Sequence, residues 1–352
     1  MDVSRYVGTE ELRFEVEFVT PAFLGGADGN AEIRTAPFKG LLRRWWRIAN
    51  GHLSPEELWK REGELFGSVE KNPDIVQENK NRKPSEKLPE IFGKSKVTVK
   101  ISDDSKCKVS QDKINIGRFS SDSGEIPLAT YLGYGAIGVK KYIVPQSKIT
   151  LQVEYPYGSK EELINAIFLI HLFGTIGARA HNGWGSVHIN PKNFQFNPPL
   201  VFDKFRDWKC ITKNKKNYPH IIGKDEKGVL GWKTTVCRSW EEAFSKIGSI
   251  YYQLVLDIKK DCYDLNCRKL LGFATGKERM PSHFVVKIIK TCVKRNGSLS
   301  TEYYGQIIHI PYIVDDKHWS YENQLKSSQF IHNYLDRKKL EGWQRNITGA
   351  AK

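Results

Sequence analysis

The chain has 352 residues, with 39% apolar and 12% aromatic content, enough for two cores and too apolar for general disorder. Fifty-five lysines and arginines against 40 acidic residues leave a formal charge of +15 and a pI near 9.4, which points to a polyanionic partner without separating RNA, DNA and acidic membrane surfaces. No apolar run approaches the ~18 residues of a membrane span and the N-terminal MDVSRYVGTEELRF has no apolar centre, so a cytoplasmic chain with no membrane partner is expected.

Residues 12–18 alternate apolar and polar and predict a half-buried strand. The next segment, APFKGLLRRWWRIANG, predicts an amphipathic helix. At about 100° per residue, Phe38, Leu41, Leu42, Trp45, Ile48 and Ala49 share one face, and Lys39, Arg43, Arg44 and Arg47 the other. Pro37 suits the first turn, and Asn50-Gly51 offers a left-handed residue to end it. Lys39, Arg43 and Arg47 form a stripe with no acid among them, which suggests a phosphate-tracking surface, a solvated outer face being the alternative. Trp45 belongs to the core. Trp46, at the edge of the stripe, either stacks on a base or packs inward.

A second short helix starts at Ser54-Pro55-Glu56-Glu57, a capping box. Residues 70–95 carry three prolines and few apolar side chains and read as an exposed insertion. Strands follow at 97–101 and 149–155, with a protruding loop or hairpin within 103–145. Ser159 to Glu162 suggests another capping box, opening an apolar helix through Phe173, and 185–189 closes the series as a strand. The order strand, helix, strand, strand, helix, strand is the split βαβ, ferredoxin-like pattern, shared with the RNA-recognition fold. The expected division is 1–195 and 196–352. In the second part, 240–249 and 321–340 read as helices and 251–258, 283–290 and 303–310 as strands, a second α+β unit that is a divergent or permuted copy of the first. The basic stretch 204–238 is either a solvated linker or an RNA contact.

The loop FGTIGARAHNGWGSV holds Gly174, Gly177, Gly183 and Gly185 around Arg179 and His181. It runs from helix to strand, the reverse of the nucleotide-binding glycine loops, and lacks Gly-Lys-Ser/Thr, so it predicts no nucleotide hydrolysis. What it offers is positive φ, close backbone approach and one charged donor. His181 is the best candidate for an acid or base, a neutral loop histidine being the alternative. Six cysteines without a C-x-x-C pair indicate neither a zinc site nor a disulfide framework, and no cofactor or metal is expected.

TPAFLGGADGNAEIRTAPFKGLLRRWWR, residues 20–47, resembles the N-terminal signature of the RAMP superfamily of CRISPR proteins, specifically the subunit-one family of the type III-B Cmr effector complex. ELFGS at 64–68, YLGYG at 131–135 and the glycine loop look like further shared blocks; in the second half only 272–288 aligns. The resemblance implies two ferredoxin-like domains and a non-catalytic subunit of an antiviral ribonucleoprotein. Such a subunit binds guide RNA, or the guide–target duplex, near the guide's 3′ end, beside other Cmr subunits. The residues expected to touch RNA are Arg34, Lys39, Arg43, Arg44, Trp46 and Arg47, with Gly174, Gly177, Arg179, His181, Gly183 and Gly185. The alternative is a metal-independent, guide-processing endoribonuclease of the same superfamily, using His181.

Overall fold

The computed structural model describes residues 8–25, 30–68, 71, 73–121, 124–197, 199–209, 221–261, 266–275, 278–295, 297–312, 319–337 and 343–345. It is a mixed α+β structure with mainly antiparallel sheets. In the first half, β1 (Thr9–Phe18), β2 (Thr98–Lys106), β3 (Lys148–Pro156) and β4 (Val187–Pro191) lie in the order β2-β3-β1-β4, all antiparallel. With α1 (Thr35–Ala49) after β1 and α4 (Lys160–Phe173) after β3, this is the split βαβ connectivity. The register sets Leu12, Phe14 and Val16 opposite Val153, Leu151 and Ile149, so one face of the sheet is continuously apolar and takes both helices. Trp45 of α1 stacks on Phe173 of α4 with ring centroids 6.1 Å apart.

Local chemistry explains where these helices begin and end. At α2 (Pro55–Phe66), the Ser54 hydroxyl accepts from the Glu57 N–H and the Glu57 carboxylate returns to the Ser54 N–H, the capping box expected there. At α4, Ser159 makes no side-chain cap, so the second expected box does not form. The end of α1 also departs from expectation. Asn50 has φ −105°, and it stops the helix by donating from its amide to the Trp46 carbonyl at 2.9 Å.

Residues 73–95 are largely exposed, as expected of an insertion, but pinned to the body of the fold. After α3 (Pro73–Asn79), the Asn79 amide exchanges two hydrogen bonds with Leu88, and Phe92 sits edge-on against Trp59 of α2 at 4.9 Å. The segment from 103 to 145 is likewise no free loop. Its Ile116, Leu128, Leu132 and Tyr142 are buried in the core of the second half, an anchoring that a scattered apolar pattern does not disclose.

The second half is built from β5 (Gly231–Lys233), α5 (Trp240–Asp261), β6 (Phe284–Arg295), β7 (Ser298–His309) and α6 (Tyr321–Arg337), with strand order β5-β7-β6. Lys233 also forms an antiparallel bridge with Gln344, on the flank of β5 away from β7. The elements therefore follow the first half's order without permutation, with a single bridge where a fourth strand would lie. The expected strand at 251–258 is instead the continuation of α5. Its buried residues Phe244, Ile247, Tyr251, Leu254 and Ile258 recur every three or four positions, a helical period that a dense apolar run conceals. Cys267 is disulfide-bonded, with its partner outside the described residues; pairing depends on distance in the fold, which scattered spacing does not reveal.

Strand β6 joins the halves. Phe284, Val286 and Ile288 enter the second core while Val285 faces the first. On that same face, Lys287 and its cross-strand partner Gln306 close the C-terminal turn of α4. Lys287 Nζ donates to the carbonyls of Ile170 and His171 at 2.7 Å each, and the Gln306 amide donates to that of Leu172. The carbonyls of His171 and Leu172, which a helix end leaves unpaired, are thereby satisfied by the other half of the chain, while that of Ile170 also accepts from the Gly174 N–H at 2.8 Å. Lys290 adds an ion pair with the buried Glu17 of β1 at 2.6 Å.

Candidate nucleic-acid interface

The basic stripe of α1 does not face an open surface as a unit. Glu62 on α2, only 4% exposed, accepts from Arg43 Nε at 2.5 Å and from Arg47 Nε and Nη2 at 2.5–3.0 Å. Two of the stripe's cations are thus committed to a carboxylate that no reading of α1 alone includes. Lys39 is half-buried; desolvation first, and Arg43 beside it second, lower its pKa. Arg34 is exposed, donates to the Gly25 carbonyl at 2.9 Å and pairs with Glu32 at 3.4 Å. Trp46 is fully buried, edge-on to Phe66 at 5.8 Å, and its indole N–H donates to Glu162 at 3.1 Å. It is a core residue with a satisfied donor, not a base platform.

Arg44 points elsewhere. With Pro37, Gly40 and Leu41 it forms one wall of a cleft of about 1640 Å³. The glycine loop forms the second wall, the segment from Ile126 to Lys140 the third, and the fourth comes from α5, the 3₁₀ turn Cys267–Leu271 and Pro281-Ser282. The cleft therefore lies along the seam between the halves. Its lining carries Arg44, Lys140, Arg179, Arg268 and Lys269 and, among the described residues, no aspartate or glutamate. A concave surface with five cations and no carboxylate holds a strongly positive potential and will concentrate an anionic chain.

The glycine loop is wound tightly against its own protein. Thr175 and Ser186 form an antiparallel bridge, the Ile176 N–H donates to the Gly185 carbonyl at 2.9 Å, and the Gly185 N–H donates to the Pro21 carbonyl. Gly185 has φ +64°, and a Cβ there would stand 1.8 Å from the Ile176 carbonyl oxygen. The close backbone approach that the glycines allow is thus made by the chain itself. Gly174 and Gly183 are also buried, so of the four glycines only Gly177 lies exposed in the cleft wall. Arg179, at φ +58°, donates from Nε to the Tyr134 carbonyl at 2.7 Å and ties the loop to the opposite wall. Arg44 Nη1 donates to His181 Nε2 at 3.0 Å; arginine only donates, so this imidazole nitrogen is the acceptor.

The structure thus assembles Arg44, Gly177, Arg179 and His181 from the expected set, and directs Arg34, Lys39, Arg43, Trp46, Arg47, Gly174, Gly183 and Gly185 elsewhere. It adds Lys140, Arg268, Lys269, Tyr131 and Tyr134. Tyr131 packs edge-on against Tyr252 at 4.5 Å, and desolvation raises the pKa of its phenol. The signal for Tyr134 was its placement between Gly133 and Gly135; for Lys140 and the distant pair Arg268-Lys269 no sequence pattern existed.

RNA-recognition folds read bases with aromatic side chains on the sheet face opposite the helices. Here that face bears Glu11, Arg13, Glu15 and Glu17 on β1, Lys148, Thr150, Gln152 and Glu154 on β3, and His188 and Asn190 on β4. Its charges are paired internally, Lys148 with Glu15 at 3.1 Å and Lys100 with Glu154 at 2.5 Å, and its His188 ring is held by Asn190 at 3.1 Å and packs edge-on against His171. The cleft, not this face, is the surface suited to nucleic acid. No described helix is long and apolar enough to cross a membrane, and no three His, Cys, Asp or Glu side chains gather as metal ligands among the described residues.

Residues 15–188, just under half of the chain, match the family model of the RAMP superfamily. Among solved structures, the apo crystal structure of Cmr1 from Pyrococcus furiosus is 14% identical, with a TM-score of 0.46 over 92% of this chain and 97% of that one. A type IV-B CRISPR complex contains a chain that is 14% identical, with a TM-score of 0.28 over 54% of this chain and 94% of that one. No curated protein matches.

Proposed function

We propose that this chain is a non-catalytic RNA-binding subunit of a type III-B CRISPR effector, built on two ferredoxin-like units, that holds RNA in the cleft between them. The observation that carries the reading is the five-cation, carboxylate-free lining of that cleft. The RAMP superfamily match over 15–188 supports it, as do the motifs that resemble subunit one of Cmr. That resemblance also supports binding near the 3′ end of a guide and contact with other Cmr subunits. The engagement of His181 Nε2 by Arg44 supports a binding role over a catalytic one, because a base already accepting from a guanidinium is poorly placed to take a proton from a ribose hydroxyl.

The test is the salt dependence of single-stranded RNA binding. Each phosphate contact adds about −0.7 to the slope of log K against log salt. The double variant Lys140→Ala, Arg268→Ala should make the slope shallower by about 1.4 units, and the same RNA incubated in EDTA should stay intact. An unchanged slope places the RNA outside the cleft. Specific cleavage that disappears in His181→Ala supports the processing-nuclease reading instead.

A further inference from the structure

The geometry points to Tyr134 as a base-stacking platform at the lip of the cleft, and hence to an unpaired RNA strand, not a duplex, as the ligand; this rests on the cleft being the RNA site. Tyr134 is 74% exposed, and its side chain has no ring or hydrogen-bond partner among the described residues. Large exposed aromatic rings are common on mobile loops, but this loop is fixed. Arg179 Nε holds the Tyr134 carbonyl, and Asn182 donates to the Leu132 carbonyl at 2.9 Å. Gly133 donates to Ala129, and Ala136 and Ile137 both donate back to Gly133. Tyr131, three residues earlier, is used differently: its ring packs on Tyr252 and anchors the segment, leaving Tyr134 the ring that points outward.

The neighbourhood matches what a stacked nucleotide requires. The Arg179 guanidinium lies under the turn, with Nη2 3.6 Å from where a Cβ on Gly135 would stand, and Arg44, Lys140 and Arg268 line the same cleft. A base laid on the Tyr134 ring would leave its phosphate within reach of that cationic floor, the pairing of stacking platform and electrostatic groove that single-strand binders use. Bases inside a duplex already stack on each other and offer no free face, so a duplex can use the cations but not the ring. Every base has a π-face, so stacking on the ring is expected to be tolerant of sequence.

Fluorescence anisotropy with the full chain tests this, using three probes: a labelled twelve-nucleotide oligo(A) RNA, the same strand annealed to its complement, and polyphosphate of equal charge as competitor. Tyr134→Ala should weaken oligo(A) binding about five- to 150-fold, the equivalent of about 1–3 kcal/mol for one stacked base. Tyr134→Phe should restore it. Binding of the duplex and competition by polyphosphate should be the same in all three proteins, because neither uses the ring. Equal oligo(A) affinity in wild type and Tyr134→Ala overturns the platform. A loss in Tyr134→Ala that extends equally to polyphosphate also overturns it, since the ring would then act only by shaping the charged surface. The cleft itself is judged separately. If Arg268→Ala leaves oligo(A) binding unchanged, the RNA lies elsewhere and the parent reading fails with the platform; if Arg268→Ala weakens binding and Tyr134→Ala does not, only the platform falls.

Discussion

Replacing Arg43 and Arg47 together by alanine separates a structural clasp from an RNA contact. Glu62 is buried and its two oxygens take four hydrogen bonds, all from these two arginines. The double variant leaves that carboxylate without a cation. Removing one partner of a buried pair costs about 3–5 kcal/mol. The two arginine side chains are 40% and 45% exposed, so water can reach the carboxylate from their side, and about 2–3 kcal/mol is the better figure. Arg43→Ala alone should cost about 1 kcal/mol, because Arg47 still reaches both oxygens. Adding Glu62→Gln to the double variant should recover at least about 1 kcal/mol by removing the unpaired charge. Urea denaturation measures each value. The salt slope of RNA binding should not change in any of these proteins. A double variant as stable as wild type, or one whose slope becomes shallower by a unit or more, would refute the clasp and return these arginines to the RNA surface.

Trp46→Ala should cost about 3–5 kcal/mol, as for other buried aromatics, with RNA affinity unchanged in the fraction that folds; a stable variant with weakened RNA binding would contradict its burial. Gly185→Ala should unfold the glycine loop or the whole chain, since its Cβ meets the Ile176 carbonyl and its φ is +64°; a wild-type thermal midpoint would contradict the turn as described. Burial first, then Arg345 and Lys209, push the pKa of His332 from 6.5 down to about 3. The unfolded chain therefore takes up a proton below about pH 6.5 that the folded chain refuses until about pH 3, and stability falls as pH drops through that window. Between about pH 7.5 and about pH 5 this group should remove about 2 kcal/mol, measured by urea titration at both values. His332→Gln should flatten that difference, and an equal loss in wild type and variant would assign it to other groups.

What could be read from the sequence divides along a physical line. Elements whose signal is their own periodicity were legible: the alternation in β1, the amphipathic split of α1, the capping box at Ser54 and the split βαβ order of the first half. The continuation of α5 through 251–258 was not, because a run apolar on nearly every side carries helix and strand periods equally well. The positive φ of the glycine loop was legible from composition, and Gly177, Arg179, Gly183 and Gly185 adopt it. What fills the space beside those glycines was not, since Phe23 stands beside Gly177, Phe244 and Val286 beside Gly183 and Ile176 beside Gly185 only once the chain has folded. The charges divide in the same way. Nothing along α1 tells Arg44, which reaches the cleft, from Arg43 and Arg47, which Glu62 holds from a neighbouring helix.

The seam site follows from how the two halves close each other off. The sheet face on which an RNA-recognition fold would read bases is taken up by internal ion pairs, and at Glu17 by Lys290 of the second half. From Phe284 to Ile289 strand β6 is buried on both sides, so that stretch of the second sheet's matching face is spent as well. What stays concave and, among the described residues, free of carboxylates is the groove where the halves meet, and the contacts that join them also set its walls. Lys287 and Gln306 cap α4 immediately before Gly174, so the start of the glycine loop is fixed by the second half. Further along, the Val286 N–H donates to the His181 carbonyl at 2.8 Å, and Asn182 bridges Val286 in parallel. Arg179 then reaches from that loop to the segment carrying Tyr134. A single strand thus positions the loop, the loop positions the ring, and a substitution at Lys287 should alter the alignment of the cleft without itself lining it.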